Sequence, residues 1–378
     1  MPLGTQPQQS SGIGQSSRSP ANDPRLYPPL PALGNSKSPQ MEPLTMADLI
    51  TNLAEARAAL AATGPGIYDM PNEVYHADPC PTPSLSAGGV DTMLDECPAR
   101  FWWESQRLNP SWEATETTAF GLGKAAHIVF LEPGLFEASV RVIEADDYKT
   151  KAARTARDEA RAAGQIPLLT EQHRQIIDMR DALFANSFAR AAFERPGRSE
   201  VSAFWRDPVT GVWCRLRADR VPDDQSYLID YKTAIDANPL DFGRAADNLR
   251  YYRRAAWYLD GWQLATGNEP KHYWFVVQEK SPPYLASVIE LDSFALDAGR
   301  QENREALDLF ARCLKDGQHR AAWPGYRRRD SLDQDTAFRV GIPPYAHQRI
   351  AERGRSITER AAPAAIRRAV ENAFIPGA

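Results

Sequence analysis

The sequence predicts an α/β protein in which a short mixed central sheet is flanked by helices, and three observations predict it. Three closely spaced runs, Glu200 to Trp205, Val212 to Asp219 and Tyr227 to Thr233, read as strands punctuated by Asp207-Pro208 and Pro222-Asp223-Asp224. Helical stretches lie before them, near 150–163 and 170–194, and after them, from Asp247 to Thr266 and from Ser293 to Lys315. Two further strands, His272 to Gln278 and Leu285 to Leu291, fall between the last two helices. Helices on either side of a sheet are the natural way to bury such a set of elements.

In chain order, residues 1–44 form a tail. Nine of the thirty prolines fall in its first 43 residues together with Ser, Gln and Gly, and the segment lacks the apolar pattern needed to offset its ordering entropy, so it is expected to be disordered. Residues 45–65 follow as a helix: Thr45 and Asp48 resemble a capping box, Leu49, Leu53, Ala56 and Leu60 recur at helical spacing, and Gly64 stops the run. A tether or partner-binding element is the expected role. The main domain spans 66–325. Within it Ser86 caps a helix through Met93 and Leu94, Pro98 opens another through Phe101 and Trp102, and 117–131 reads as a third. Residues 326–378 are an Arg-rich extension, with Arg327, Arg328 and Arg329 near its start and a helix carrying Arg367 and Arg368 near its end.

Of the 378 residues, 43% are apolar and 10% aromatic, enough for one large core or two modest ones. A net charge of -5 argues against coating DNA over the whole surface, so any nucleic-acid contact must be local. Cys80, Cys97, Cys214 and Cys313 are dispersed without CxxC spacing, which supports neither a disulfide framework, nor zinc, nor an iron–sulfur cluster. No run of 18 apolar residues and no basic-then-apolar leader is present, so a cytoplasmic protein without membrane association is expected.

The chemistry concentrates in the strand region. Val212, Cys214, Leu216 and Ala218 alternate with Trp213, Arg215, Arg217 and Asp219, so Asp219 is expected to point away from the apolar face. Asp230 and Lys232 share one face of the next strand, with Ile229 and Tyr231 on the other. If the turn at Pro222 to Ser226 makes these strands an antiparallel hairpin, Asp219 approaches Asp230 across the pair. Two carboxylates and an ammonium then converge. Hard oxygen ligands of this kind hold Mg²⁺ while leaving positions for water and a phosphate, and Lys232 is placed to orient or deprotonate the water or to stabilise transition-state charge. An isolated Asp-x-Lys is equally an exposed strand pair; it is the neighbouring residues that favour the site.

Asp219, ten residues, then Asp230-Tyr231-Lys232 resembles the nuclease core of the PD-(D/E)XK superfamily, and within it the RecE-type exonucleases. The resemblance also rests on Tyr68, Tyr75 and His76, Ser84-Leu85-Ser86, Cys97 through Phe101, Gly123-Lys124-Ala125-Ala126-His127 with Leu131-Glu132-Pro133, and Glu200-Val201-Ser202. It implies Mg²⁺-dependent hydrolysis of linear double-stranded DNA, with Mn²⁺ able to substitute, 5′ to 3′, leaving 3′ single strands for a single-strand annealing recombinase. It further implies His127 as a metal ligand beside Asp219 and Asp230, Glu200 as an acidic group of the centre, and a homo-oligomeric ring around the DNA. Relatives carry Gln-x-x-x-Tyr in the helix after the hairpin, where this chain has Arg254 and Tyr258; Arg254 is read as a phosphate contact or a surface charge. Arg215 and Arg217 are candidates for local DNA contacts, with plain surface charge the alternative. A structure-specific endonuclease or a non-catalytic DNA-binding protein on the same fold are the competing readings.

Overall fold

The computed structural model describes residues 50–113, 121–326, 341, 343 and 346–353. The expected tail, the Thr45–Asp48 cap, the arginines at 327–329 and the helix carrying Arg367 and Arg368 lie outside the described residues. One compact unit runs through Tyr326 and a second covers Arg327–Ala378, of which 346–353 is helical.

The elements of the first unit are α1 (Leu53–Thr63), β1 (Gly66–Tyr68), α2 (Asn72–His76), β2 (Ser84–Ser86), α3 (Ala87–Asp91), a π-helical turn at Thr92–Glu96 and α4 (Pro98–Glu104). Then come α5 (Gly121–Leu131), α6 (Phe136–Ser139), β3 (Val140–Ile143), α7 (Lys151–Ala162), β4 (Ile166–Leu169), α8 (Thr170–Ala185) and α9 (Ser187–Glu194). The strand region follows as β5 (Gly197–Arg206), β6 (Trp213–Pro222) and β7 (Tyr227–Ala234). Last are α10 (Phe242–Asn248), α11 (Tyr251–Thr266), β8 (His272–Glu279), β9 (Ala286–Ile289) and α12 (Ser293–Asp316).

The main sheet has the order β1-β5-β6-β7-β8-β9, with β2 joined to β6. β2 on β6 and β7 on β8 are parallel, and the remaining pairs are antiparallel. The expected mixed sheet flanked by helices is therefore present. The connection between parallel neighbours β7 and β8 passes through α10 and α11, as a parallel crossover requires. Consecutive residues of β7 feed opposite layers. Tyr227, Ile229 and Tyr231 pack with residues of α5, α8 and α9, whereas Leu228 joins Trp257, Tyr258 and Trp262 of α11 and Phe310 of α12. That division explains why β7 is apolar on both faces yet tolerates Asp230 and Lys232 on one of them.

Helix α12 lies so close to α11 that a Cβ at Gly299 would come 2.3 Å from the main-chain oxygen of Tyr252. The two helices are further joined by Arg253 of α11, whose buried guanidinium pairs with Glu302 of α12 and with Asp91 and Asp95. Arg253 thus ties three segments together.

Four differences from the sequence reading have local causes. The single helix expected over 170–194 is two, because Asn186 takes an extended conformation and its side chain accepts the N–H groups of Phe188 and Ala189, starting α9. The helix before Gly64 starts at Leu53, capped by Asn52, with Glu55 reaching back to the Thr51 N–H. It is no free tether: Ala56 and Leu60 pack with Met70, Val74, Phe204 and Trp213. The stretch expected to be helical from Asp247 instead begins α11 at Tyr251, because Arg250 adopts a left-handed conformation after α10.

Candidate active site

The β6–β7 hairpin is antiparallel and pairs Arg220 with Ile229. One step on, Asp219 stands opposite Asp230, but there the side chain intervenes: Asp219 Oδ2 accepts the Tyr231 N–H at 2.7 Å. A carboxylate thus takes a main-chain donor of β7. On the other side of β6, pairing with β5 runs through Ser199 and Arg220 and resumes at Val201 and Ala218, so Glu200 and Asp219 are not among the paired residues. Glu200 has φ of 53°, a left-handed conformation unusual for a residue with a side chain. This irregularity brings the Glu200 side chain beside Asp219.

His127, from α5, completes the group: one ligand atom each of His127, Glu200 and Asp219 lie within 4.8 Å of one another. The His127 ring sits edge-on against Tyr231, 5.3 Å between centroids. Burial and the nearby Lys232 ammonium hold its pKa below the usual value, so the imidazole stays neutral with a lone pair to give. The Asp219 carboxyl is pushed up to about 8, first by burial and then by the charges of Asp230 and Glu200, with Lys232 and the Tyr231 N–H opposing. A cation held by this carboxylate would compete with its proton.

Asp230 is only 2% exposed. Lys232 Nζ lies 2.7 Å from its Oδ2, an ion pair largely inside the protein. A guanidinium nitrogen of Arg254 stands 4.0 Å from its Oδ1. The imidazole of His127 and the carboxylates of Glu200 and Asp219, with the Asp230–Lys232 pair outside that group, are a donor set that fits a hard divalent cation, Mg²⁺ or Mn²⁺.

One open cleft of about 1640 Å³ is lined by Lys124, His127, Glu200, Asp219, Lys232 and Arg254 among others, with Asp230 buried behind it. Arg215 and Arg217 also line it, but each turns donors inward onto the protein. Arg215 bonds Asp78 and the main chain and hydroxyl of Ser84, and Arg217 bonds Glu200, Ser202 and Met70. Tyr258 is buried and its hydroxyl donates to the main-chain oxygen of Arg217 at 3.0 Å, which leaves Arg254 as the member of that helix pair with a charge toward the cleft. The sequence reading missed the Arg217–Glu200 pair, since residues 17 apart reveal no contact, and missed Glu132, a cleft-lining carboxyl whose pKa is raised by burial and by Glu200.

Residues 92–326, more than half of the chain, match the model of a PDDEXK-like domain of unknown function, DUF3799. The chain belongs to this PDDEXK-like family. The segment matched by the DUF3799 domain contains His127, Glu200, Asp219, Asp230 and Lys232. Among solved structures, this PDDEXK-like chain is similar to that of a "Putative exonuclease" from Eubacterium rectale, at 12% identity over 77% of this chain and 96% of that one, with a TM-score of 0.46. It is also similar to that of SSO0001, at 16% identity over 52% of this chain and 87% of that one, with a TM-score of 0.23. No curated protein matches the DUF3799 chain. No helix among its described residues is long and apolar enough to cross a membrane.

Proposed function

We propose that this PDDEXK-like protein is a divalent-metal-dependent deoxyribonuclease that digests linear double-stranded DNA from its ends, 5′ to 3′, leaving 3′ single strands for an annealing recombinase. The observation that carries the reading is the convergence of His127, Glu200 and Asp219 in one cleft that Lys232, paired with Asp230, also lines. His127, Asp219 and Glu200 hold the cation, with Asp230 as a further carboxylate beside them. Bound there, Mg²⁺ or Mn²⁺ lowers the pKa of a coordinated water and offsets charge on the phosphate. Lys232, half-buried and against Asp230, orients the attacking water or neutralises the charge that builds on the phosphoryl oxygens. Arg254 reaches a phosphate from the cleft wall. A homo-oligomeric ring would gather each copy's cleft around the duplex despite the negative net charge.

The test is a time course on 5′-labelled and 3′-labelled linear duplex with Mg²⁺, beside a closed circle. Loss of the 5′ label first, with the circle intact, is the expected result. Cleavage of the circle would replace the exonuclease by an endonuclease, and binding without cleavage under any divalent metal would leave a DNA-binding protein.

Two variants probe the parts. His127→Ala is expected to fold normally and to need a metal concentration roughly tenfold higher or more for half-maximal activity, because removing a ligand weakens affinity at least as much as removing a group behind one. Metal titrations with Mg²⁺ and Mn²⁺ that superimpose on the parent would make His127 a packing residue. Arg254→Ala is expected to raise KM for DNA and to lower the slope of log affinity against log salt by about one, since one fewer counterion is released. Arg254→Gln should recover much of the rate, and equal behaviour of all three proteins across salt would place Arg254 outside the DNA path.

A further inference from the structure

We infer that Arg217 is a positioning residue: it holds the Glu200 carboxylate in the ligand group with His127 and Asp219 and does not itself contact DNA. The inference rests on the metal-centre reading above and adds to it what assembles the centre before a cation arrives. Glu200 belongs to β5, yet its left-handed φ of 53° and its absence from the β5–β6 pairing show that the strand is diverted at this one residue. For a residue other than glycine this conformation is unfavourable, so the surroundings must enforce it. Nor do the neighbouring charges favour the result, because the diversion carries Glu200 toward Asp219, a second carboxylate.

Arg217 supplies both the attraction and the constraint. Its Nε donates to Glu200 Oε2 at 2.8 Å, while another guanidinium nitrogen donates to Ser202 Oγ at 2.5 Å and to the main-chain oxygen of Met70 at 3.1 Å. The guanidinium also lies 5.9 Å from the centre of the Tyr75 ring, and its own carbonyl receives the Tyr258 hydroxyl. Ser202 sits two residues beyond Glu200 on β5, so one planar cation grips the strand on both sides of the diverted residue's successor. A lysine could supply the charge but not this fork of donors. Two of its three nitrogens are engaged inside the protein and its side chain is only 12% exposed, so Arg217 has little left to offer a phosphate. It also places a positive charge behind Glu200, leaving the other carboxylate oxygen for the cation.

The experiment measures Mn²⁺ binding by titration calorimetry on the full chain without DNA, for the parent, Arg217→Gln, Arg217→Lys, Glu200→Gln and the Arg217→Gln/Glu200→Gln double variant. DNA affinity against salt is measured in parallel by gel shift with Ca²⁺. Replacing a group that orients a ligand weakens metal binding by roughly 10–100-fold, so Arg217→Gln should lose that much and Arg217→Lys less. In the Glu200→Gln background the Arg217 change should have almost no further effect on Mn²⁺, because the group it positions is gone. The salt slope for DNA should stay that of the parent in every Arg217 variant. Unchanged Mn²⁺ affinity in Arg217→Gln, or a salt slope lowered by about one, overturns the inference in favour of a direct DNA contact. Should Arg217→Gln fail to fold, Arg217→Lys and its double variant with Glu200→Gln carry the same cycle, and additive losses there overturn the inference equally. A parent that binds no Mn²⁺ removes the metal centre itself, whereas a parent that binds while the Arg217 variants bind as tightly removes this inference alone.

Discussion

Asp230→Asn is expected to fold, to bind linear duplex DNA at least as well as the parent, and to release nucleotides about a thousandfold more slowly. The side chain keeps its shape but loses the charge that a divalent cation requires. Losing about 4 kcal/mol of transition-state stabilisation, a reasonable share of what a bound metal supplies, corresponds to that factor. DNA binding is expected to survive because the substitution removes negative charge from a phosphate path and leaves Lys232 and Arg254 in place. Neutralising Asp230 relieves its repulsion of Asp219 but takes the partner from the Lys232 ammonium 2.7 Å away, so the variant should lose some thermal stability in the absence of metal while still folding. Gel shift, nucleotide release and thermal unfolding check the three parts. Equal degradation by parent and variant would show that the Asp219, Asp230 and Lys232 centre is wrong.

Arg253→Leu is expected to be the most destabilising of the substitutions considered, although Arg253 is adjacent to Arg254 and absent from the cleft lining. The guanidinium is 2% exposed and is shared among Asp91, Asp95 and Glu302, with Tyr252 donating to the same Glu302. Breaking a buried ion pair by deleting one partner costs about 3–5 kcal/mol, most of it from the charges left behind. The three carboxylates are each about a third exposed or less, so solvent recovers part of this and the lower end applies, roughly a 10 °C fall in Tm for a domain of this size. Because the cost comes from orphaned charge, adding Asp95→Asn and Glu302→Gln to Arg253→Leu should restore part of the stability. Urea and thermal unfolding that leave Arg253→Leu level with the parent would show that packing of α11 on α12 holds these segments without the ion pairs.

Local pattern determined a good deal of this protein. The alternation in 212–219 and 227–233, the turn at Pro222–Ser226 and the helical spacing on either side are consequences of side-chain periodicity within a few residues, so they carry the mixed sheet, its flanking helices and the antiparallel hairpin. The same hairpin register set Asp219 opposite Asp230 and put Lys232 on the Asp230 face. Short strands such as β3 and β4 escaped, because four residues paired only with each other show too little periodicity to be read.

What the sequence could not determine is where charged side chains spend their bonds. Arg215, Arg217 and Arg254 look alike in the chain, yet two of them are turned inward onto Asp78, Ser84, Glu200 and Ser202, and one stands over Asp230. Glu200 read equally as a solvated strand-end acid or a member of the centre, and only a left-handed kink and a cation on the neighbouring strand place it against Asp219 and His127. The reason is range: periodicity is fixed by neighbours along the chain, whereas the burial and charge around a given carboxylate come from α5, β5, β6, β7 and α11 together. Those meet only when the chain has folded.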